Sequence, residues 1–304
     1  MKLAAIDIGS NAVRLLIKDI TRKLVNQQEE VSFQKDVLVR VPLRLGEQVF
    51  NEGFLFENKI QQLIKTMDAF RNLMEVYGVL TYKACATSAM RDAKNGGEVV
   101  NRVQHESRID IEIIDGIEES QMLFAGFSDL LKLHPKTPFI NIDVGGGSTE
   151  FVVFYDGKIQ ANKSFNIGTI RLLYEQVEDS DWAAMEAWLS EWAKKKPGLV
   201  GLGSGGNINK IRSMYLKNKS DILTTDLLDS VYEHLSSFTL RERIIELGLK
   251  PDRADVIVPA SIIYKNASKW AGIRRMYVPQ IGVSDGIIHY LYDKLAAENK
   301  LPEI

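Results

Sequence analysis

The chain contains two stretches in which apolar residues are interrupted by a tight turn and then alternate with polar ones. Residues 4–20 (AAIDIGSNAVRLLIKDI) and residues 139–157 (FINIDVGGGSTEFVVFYDG) follow the same outline. Each has a β-branched run, a turn built on Gly, Ser or Asn, and a second alternating run, a pattern typical of a β-hairpin. Asp7 and Asp143 occupy the same place in the two copies. This self-similarity predicts a duplicated fold.

The remaining pattern predicts alternating strands and helices. A third strand is expected in each copy, at 24–33 and at 158–165. In the first half, a helix at 57–77 precedes strands at 81–88 and 111–115, with another helix around 99–105. The second half is richer in helices, with strands at 199–205 and 274–280 and helices at 169–177, 181–195, 209–216, 225–238, 241–247, 253–270 and 284–298. Such alternation predicts an α/β architecture.

The length of 304 residues favours two domains. No Gly/Ser-rich linker separates the halves, so a structured element at 118–133 is the expected bridge. We place the boundary near Gly126, which gives lobes at 1–125 and 126–304, and the C-terminal helix could pack back on the first lobe. A central cleft is expected between the lobes.

Charge and composition exclude several classes of protein. Lys+Arg 38 against Asp+Glu 40 gives a net charge of -2, which offers no global field for nucleic acid. Cys85 is the one cysteine and cannot form an internal disulfide. No stretch of 18 uncharged apolar residues predicts a membrane span. We therefore expect a cytoplasmic protein that binds neither nucleic acid nor membrane, and that holds any anionic ligand locally.

Three glycine-rich turns follow strand-like runs: IDIGSN (6–11), IDVGGGST (142–149) and GLGSGGNI (201–208). Successive backbone N–H groups in such turns can form a nest for a phosphate. The hydroxyls of Ser10, Ser148 and Thr149 are candidate donors, and a carboxylate before the turn can hold Mg²⁺. The alternative is that each turn only closes a hairpin. None of the turns matches the P-loop or dinucleotide fingerprints.

These features together resemble the actin, sugar kinase and heat-shock chaperone ATPase superfamily, and more closely the exopolyphosphatase/guanosine pentaphosphate phosphohydrolase family. The segments that carry the resemblance are AAIDIGSNAVRLLI, ATSAMRDAKN, IEIIDGIEES, NIDVGGGSTEFVV, IGTIRL, GLGSGGNI and RADVIVPASIIY. They run in the family's order from residue 5 to about residue 264. The resemblance implies a duplicated actin-like (ribonuclease H-like) fold with two lobes.

The resemblance also implies roles for acidic residues. Glu119 matches the family's catalytic glutamate, and Glu118 is the alternative if the register slips by one. Acidic residues are also common in the first turn of a helix for structural reasons alone. Glu150 matches a second acidic position of the family, where it could bind metal through water or help orient the nucleophile as a second catalytic residue, although it could instead be an outward residue of a hairpin strand. Asp143 is the expected metal ligand, and Asp7 is expected to contact the metal through water.

A second set of residues is expected to bind phosphate. Arg91 follows a strand end and could form bidentate hydrogen bonds to phosphate oxygens; Arg171 is the less favoured arginine. In the last turn the choice between Gly205, Gly206 and Asn207 is open. The full predicted phosphate-binding set is Ser10, Asn11, Arg91, Gly145, Gly146, Gly147, Ser148, Gly205 and Gly206.

The expected activity is a Mg²⁺-dependent hydrolase that releases terminal phosphate from inorganic polyphosphate, from the 5′ end of guanosine pentaphosphate, or from both. The alternatives are an ATP-using kinase or ATPase of the superfamily and a non-catalytic sensor of polyphosphate or alarmone. A homodimer is possible.

Overall fold

The computed structural model describes residues 1–25, 28–134, 136–216 and 221–301. The chain divides into two compact units. The first comprises Met1–Gly126 together with the described residues from Val283 onward, and the second comprises Phe127–Gly282. The final helix of the chain therefore belongs to the first unit.

The first unit is built on a five-stranded sheet in the order β3-β2-β1-β4-β5. Its strands are β1 (Lys2–Ile8), β2 (Val13–Val25), β3 (Gln28–Val41), β4 (Val79–Ala86) and β5 (Ile111–Ile113). Its helices are α1 (Leu45–Glu52), α2 (Glu57–Val76), α3 (Ser88–Asp92), α4 (Gly96–Ser107), the beginning of α5 (Gly116–Leu133) and α13 (Val283–Ala297). β1 and β2 are antiparallel, whereas β4 runs parallel to β1.

Alternation along β1 buries both faces of this sheet. Ala4, Ile6 and Ile8 point into a core shared with α2 and α4. The opposite face carries Asp7, and α13 packs against β1 there. Gly286 on α13 is required for this packing, because a Cβ at that position would lie 1.8 Å from the Met122 carbonyl oxygen of α5.

The second unit is built on a six-stranded sheet in the order β10-β11-β9-β6-β7-β8. Its strands are β6 (Phe139–Val144), β7 (Thr149–Tyr155), β8 (Lys158–Phe165), β9 (Val200–Ser204), β10 (Ile222–Thr224) and β11 (Arg275–Tyr277). The second unit also contains the end of α5. Its other helices are α6 (Thr169–Leu173), α7 (Asp179–Lys195), α8 (Gly206–Tyr215), α9 (Thr225–Ser236), α10 (Leu240–Ile245), α11 (Pro251–Ala254) and α12 (Ile257–Trp270). One apolar core holds β6, β7, α7, α9 and α12 together.

The structure confirms the duplicated α/β plan, and it corrects several element boundaries. The third strand of the first copy is present, but its expected bounds of 24–33 are wrong, because β2 continues to Val25 and β3 runs from Gln28 to Val41; residues 26 and 27 lie outside the described residues. The helix expected at 253–270 is two helices, α11 and α12. The pattern missed α1, α3 and β10, each of eight residues or fewer. Within the described parts of the chain, no helix is long and apolar enough to cross a bilayer.

Candidate phosphate and metal site

The two hairpins that open the sheets have the same turn. Four residues connect β1 to β2 and also β6 to β7. In the first turn the Gly9 N–H donates to the Ala12 carbonyl at 3.2 Å, and in the second the Gly145 N–H donates to the Ser148 carbonyl at 2.9 Å. The repeat seen in the sequence is thus a repeat of backbone hydrogen bonding.

The first turn is held by the loop that enters α1. The Ser10 carbonyl accepts the Gly46 N–H at 2.9 Å, and the Asn11 carbonyl accepts the Arg44 N–H at 3.0 Å. The N–H of a trans peptide points opposite to its C=O, so the amides of Asn11 and the next residue face away from α1. The Ser10 hydroxyl lies 2.8 Å from the Ser88 hydroxyl, at the start of α3. Two predicted phosphate ligands, Ser10 and Asn11, thus lie beside the β4–α3 turn.

Asp7 carries a cationic partner. It is the register partner of Arg14 across β1 and β2, and Arg14 Nη1 donates to its Oδ2 at 2.7 Å. The carboxylate is largely buried, and the guanidinium next to it balances its charge. Sequence reasoning missed Arg14. The signal was present, because Arg14 occupies the place in the first repeat that Glu150 occupies in the second.

The two adjacent glutamates at the start of α5 lie in different surroundings. Glu118 is exposed, and its Oε2 accepts the Asp115 N–H at 3.0 Å. It therefore acts as part of the helix N-terminal cap. Glu119 is 7% exposed. Its negative charge adds to the effect of burial in raising the pKa of the Cys85 thiol on β4. Burial beside the sheet favours Glu119 over Glu118 as the functional carboxylate.

Arg91 is directed to the backbone of the first unit. Its Nη1 donates to the Ile114 carbonyl at 2.9 Å, just after β5. Part of the guanidinium therefore braces α3 against the segment that leads into α5. Its predicted contact with phosphate stays a prediction.

The glycine loop of the second unit is held by its carbonyl oxygens. The first turn of α6 donates hydrogen bonds to three successive carbonyls of this loop. They are Thr169 N to Gly145 O at 3.0 Å, Ile170 N to Gly146 O at 2.8 Å and Arg171 Nε to Gly147 O at 2.8 Å. No peptide bond in the chain is cis, so each partner N–H points the opposite way. The amides of Gly146, Gly147 and Ser148 therefore all face away from α6, in the manner of an anion-binding nest.

Gly168 makes this close approach possible. A Cβ at this position would lie 2.4 Å from the Gly146 carbonyl oxygen and 2.5 Å from the Gly147 carbonyl carbon. Both atoms belong to the backbone and cannot turn aside. Arg171, ranked below Arg91 from the sequence, is the arginine bonded to the loop.

One hydroxyl does not fit the sequence expectation. Thr149 was a candidate donor to phosphate, but its Oγ1 donates to the Ile167 carbonyl at 2.5 Å and is fully buried. A threonine hydroxyl has one proton to donate, and here the backbone uses it.

Two carboxylates lie together on the second sheet. Asp143 and Glu150 are register partners on β6 and β7, so their side chains share one face. Both are largely buried, and the Ser164 hydroxyl donates to Glu150 Oε1 at 3.0 Å. In the first unit the equivalent pair is Asp7 and Arg14. At this position the second repeat has a carboxylate where the first repeat has a guanidinium.

This donor set fits Mg²⁺. In the part of the chain that the structure describes, no cluster of three or more His, Cys, Asp or Glu side chains could hold a metal ion by protein ligands alone. Mg²⁺ characteristically takes one or two carboxylates and completes its shell with water and substrate phosphates. Asp143, with Glu150 beside it, provides such a partial shell next to the nest.

The third glycine turn approaches Asp143 closely. Gly205 has φ +95°, and a Cβ there would lie 2.6 Å from Asp143 Oδ1. Gly206 begins α8, and its carbonyl accepts a hydrogen bond from Arg253 Nη1. The structure thus places the Gly205–Gly206 turn against the predicted metal ligand. The choice between Gly205, Gly206 and Asn207 as phosphate ligands stays open.

The sequence-predicted residues therefore form two groups, one in each unit. The first unit holds Asp7, Ser10, Asn11, Arg91 and Glu119, and the second holds Asp143, Gly145, Gly146, Gly147, Ser148, Glu150, Gly205 and Gly206. Sequence reasoning missed the supporting residues Arg14, Gly168 and Tyr264, whose hydroxyl contacts the backbone where β6 and β9 end. All three lie in segments that carry the family resemblance, but only the fold shows what they contact.

The duplicated sheets and their Asp-led turns define an α/β protein of the actin-like class. Comparison with known proteins narrows this class. The sequence pattern of the Ppx/GppA phosphatase family matches residues 24–295. The chain therefore belongs to the Ppx/GppA phosphatase family.

Individual relatives agree with this assignment. The chain is 25% identical over 308 residues to exopolyphosphatase 1 of Mycobacterium tuberculosis, covering 95% of this chain and 87% of that protein. It is 29% identical over 299 residues to a bifunctional 3-dehydroquinate synthase/phosphatase of Fusobacterium nucleatum, where the match covers 88% of this chain and 43% of the longer relative. The crystal structure of the Aquifex aeolicus Ppx/GppA family member superposes with a TM-score of 0.75 at 25% identity, covering 97% of this chain and 98% of that one.

Proposed function

We propose that this protein is a Mg²⁺-dependent phosphoanhydride hydrolase. It releases terminal phosphate from inorganic polyphosphate, from the 5′ end of guanosine pentaphosphate, or from both. The observation that carries the proposal is the set of three consecutive amides at Gly146, Gly147 and Ser148, directed away from α6 beside the Asp143 and Glu150 carboxylates. Membership of the Ppx/GppA phosphatase family and similarity to proteins named exopolyphosphatase support the substrate class.

The nest suits a phosphate group. Converging backbone amides bind phosphate oxygens whatever the phosphate is attached to, so the nest itself requires no nucleotide. The net charge of -2 provides no long-range attraction for a polyanion. Local backbone amides and a bound cation must therefore supply most of the binding free energy for a polyanionic substrate.

Hydrolysis requires one attack and one departure. The oxygen of a water molecule forms a bond to the terminal phosphorus, the bridging P–O bond breaks, and the shortened chain leaves with that oxygen. A bound Mg²⁺ would neutralise charge on the phosphoryl oxygens. In this proposal Glu119, which matches the family's catalytic glutamate, orients the water and accepts its proton as a general base.

A substrate panel tests this proposal. Phosphate release is measured from polyphosphate, guanosine pentaphosphate and ATP, with Mg²⁺ and with EDTA. The proposal expects Mg²⁺-dependent release from polyphosphate or guanosine pentaphosphate and little from ATP. Release from ATP alone would favour a kinase or ATPase, and tight binding of polyphosphate without release would favour a sensor.

A further inference from the structure

A single tyrosine hydroxyl lies beneath the glycine turns of the second unit. Tyr264 on α12 is fully buried, and its ring belongs to the apolar core. A buried hydroxyl in apolar surroundings is stable only if it is hydrogen-bonded. Here it has two partners, and both are backbone atoms: it donates to the Ser204 carbonyl at 2.6 Å and accepts the Val144 N–H at 3.3 Å.

The two partners belong to adjacent parallel strands. Asp143 on β6 is the register partner of Ser204 on β9, and the ladder ends at that pair. The pairing of Asp143 with Ser204 brings the Val144 N–H to the Ser204 carbonyl, as in a regular parallel ladder. The Tyr264 hydroxyl bonds to both of these groups and ties the two strand ends to α12 at the last rung.

The ladder of the first unit is one rung longer. There β1 and β4 pair one residue further, to Ile8 and Ala86, and the Thr87 N–H then donates to the Ile8 carbonyl at 3.2 Å. Asp7 pairs with Cys85 as Asp143 pairs with Ser204, so the two ladders can be compared rung by rung. In the repeat that carries the acidic pair the ladder stops where the chain turns at Gly205, and the Tyr264 hydroxyl bonds to both strand ends there.

The spacing of these strand ends fixes two parts of the candidate site. Val144 leads directly into the Gly145–Ser148 loop, and Ser204 leads directly into Gly205. Gly205 approaches Asp143 so closely that a Cβ would lie 2.6 Å from Oδ1, and the same Cβ would lie 3.8 Å from the Tyr264 hydroxyl. A change in spacing therefore alters the surroundings of the Asp143 carboxylate.

We infer that Tyr264 is a positioning residue. Its hydroxyl holds the ends of β6 and β9 to α12 and thereby sets where the Asp143 carboxylate and the phosphate nest lie relative to the Gly205 turn. This inference rests on the proposed hydrolase function. Tyr264 acts through backbone atoms and does not touch the substrate.

The test is Tyr264→Phe, which keeps the ring and removes the hydroxyl. Without the hydroxyl, each strand end loses its hydrogen bond to α12, and the loops that follow the two strands are free to shift. We expect kcat/KM for polyphosphate to fall about tenfold, and the Mg²⁺ concentration for half-maximal rate to rise several-fold. Tyr215→Phe is the matched control, because the Tyr215 hydroxyl forms a hydrogen bond with His234 Nδ1 at 2.7 Å and neither residue belongs to a glycine turn.

The outcomes separate positioning from simple stabilisation. A variant with a lower melting temperature but with the kcat/KM and Mg²⁺ dependence of the wild type would overturn the inference. If Tyr264→Phe does not fold, Tyr264→Met fills the space with a flexible apolar chain and undergoes the same assay.

A second measurement is independent of activity. If the wild-type protein releases no phosphate from any substrate, the proposed function fails, and amide hydrogen exchange then tests the Tyr264 bridge alone. We expect the Val144 amide and the Gly145–Ser148 loop to exchange faster in Tyr264→Phe than in Tyr215→Phe. Equal exchange in the two variants would overturn the inference.

Discussion

Gly205→Ala tests whether the third glycine turn sets the position of the Asp143 carboxylate. Gly205 has φ +95° and ψ 167°, a backbone conformation that is open essentially to glycine alone. The added methyl would lie 2.6 Å from Asp143 Oδ1, well inside van der Waals contact. The substitution thus combines backbone strain with a collision at the predicted metal ligand.

Both effects have an expected size. Forcing a side chain into this region costs about 1–3 kcal/mol of folding free energy. Restoring normal contact requires the carboxylate or the turn to move by roughly 0.5–1 Å, and a misplacement of about 1 Å in an active site can cost about 100-fold in rate. We therefore expect a moderate loss of stability and a loss of about 100-fold in kcat.

The matched control is Gly198→Ala. Gly198 precedes β9 in the same unit and has φ +84°, but an added Cβ meets no heavy atom within 4 Å. It places a side chain at a positive φ in the same unit without the collision. Phosphate release from polyphosphate is measured across a Mg²⁺ titration, and unfolding is followed by circular dichroism. If Gly205→Ala were as active as Gly198→Ala at equal folded fraction, the proposed approach of Gly205 to the metal ligand would be refuted.

Three further predictions follow from individual residues. Glu119→Gln should lower kcat by about 100-fold to 10,000-fold, which is the range for loss of a general base. Glu118→Gln should leave kcat nearly unchanged, because Glu118 caps its helix, and equal losses in a phosphate-release assay would contradict this assignment. Gly286→Ala should destabilise the protein by about 3 kcal/mol or more in chemical denaturation, because the methyl would lie 1.8 Å from a backbone oxygen of α5. The control Gly97→Ala, whose Cβ would meet no heavy atom within 4 Å, should stabilise the protein by about 0.5 kcal/mol, and similar effects of the two substitutions would refute the packing argument. Burial raises the pKa of the Cys85 thiol from 9.0 to about 12, so the stability gained by burying the neutral thiol should be fully present below pH 9 and be lost as the pH rises toward 12. A thiol reagent at pH 8 should label the unfolded chain much faster than the native protein; rapid labelling of the native protein would show that the thiol is accessible.

Local patterns in the sequence were enough to predict the duplicated hairpins. The turn at Gly9 and the turn at Gly145 each depend on a few adjacent residues, and a Cβ at either glycine would lie 3.2 Å or 3.0 Å from a carbonyl oxygen of its own turn. Element boundaries were less predictable. β10 is three residues long and pairs with β11 far along the chain, so no local signal specifies it.

The candidate site shows the same division between local and long-range information. The sequence could not separate Glu118 from Glu119, because adjacent positions on a helix differ only in the direction that the fold gives them. The pairing of Asp7 with Arg14 depends on strand register, and the bridge from Tyr264 to Val144 spans 120 residues. Supporting contacts of this kind exist only in the folded chain.

In the proposed mechanism Glu119 activates water against a phosphate end that the Asp143 repeat and a divalent ion hold. This role is tested by comparing wild type with Glu119→Gln in two assays, polyphosphate binding in the presence of Mg²⁺ and release of phosphate in a single turnover. The variant should bind polyphosphate as tightly as wild type and release phosphate at least about 100-fold more slowly, in line with the contribution of a general base. Unchanged release by the variant would show that Glu119 does not activate the water.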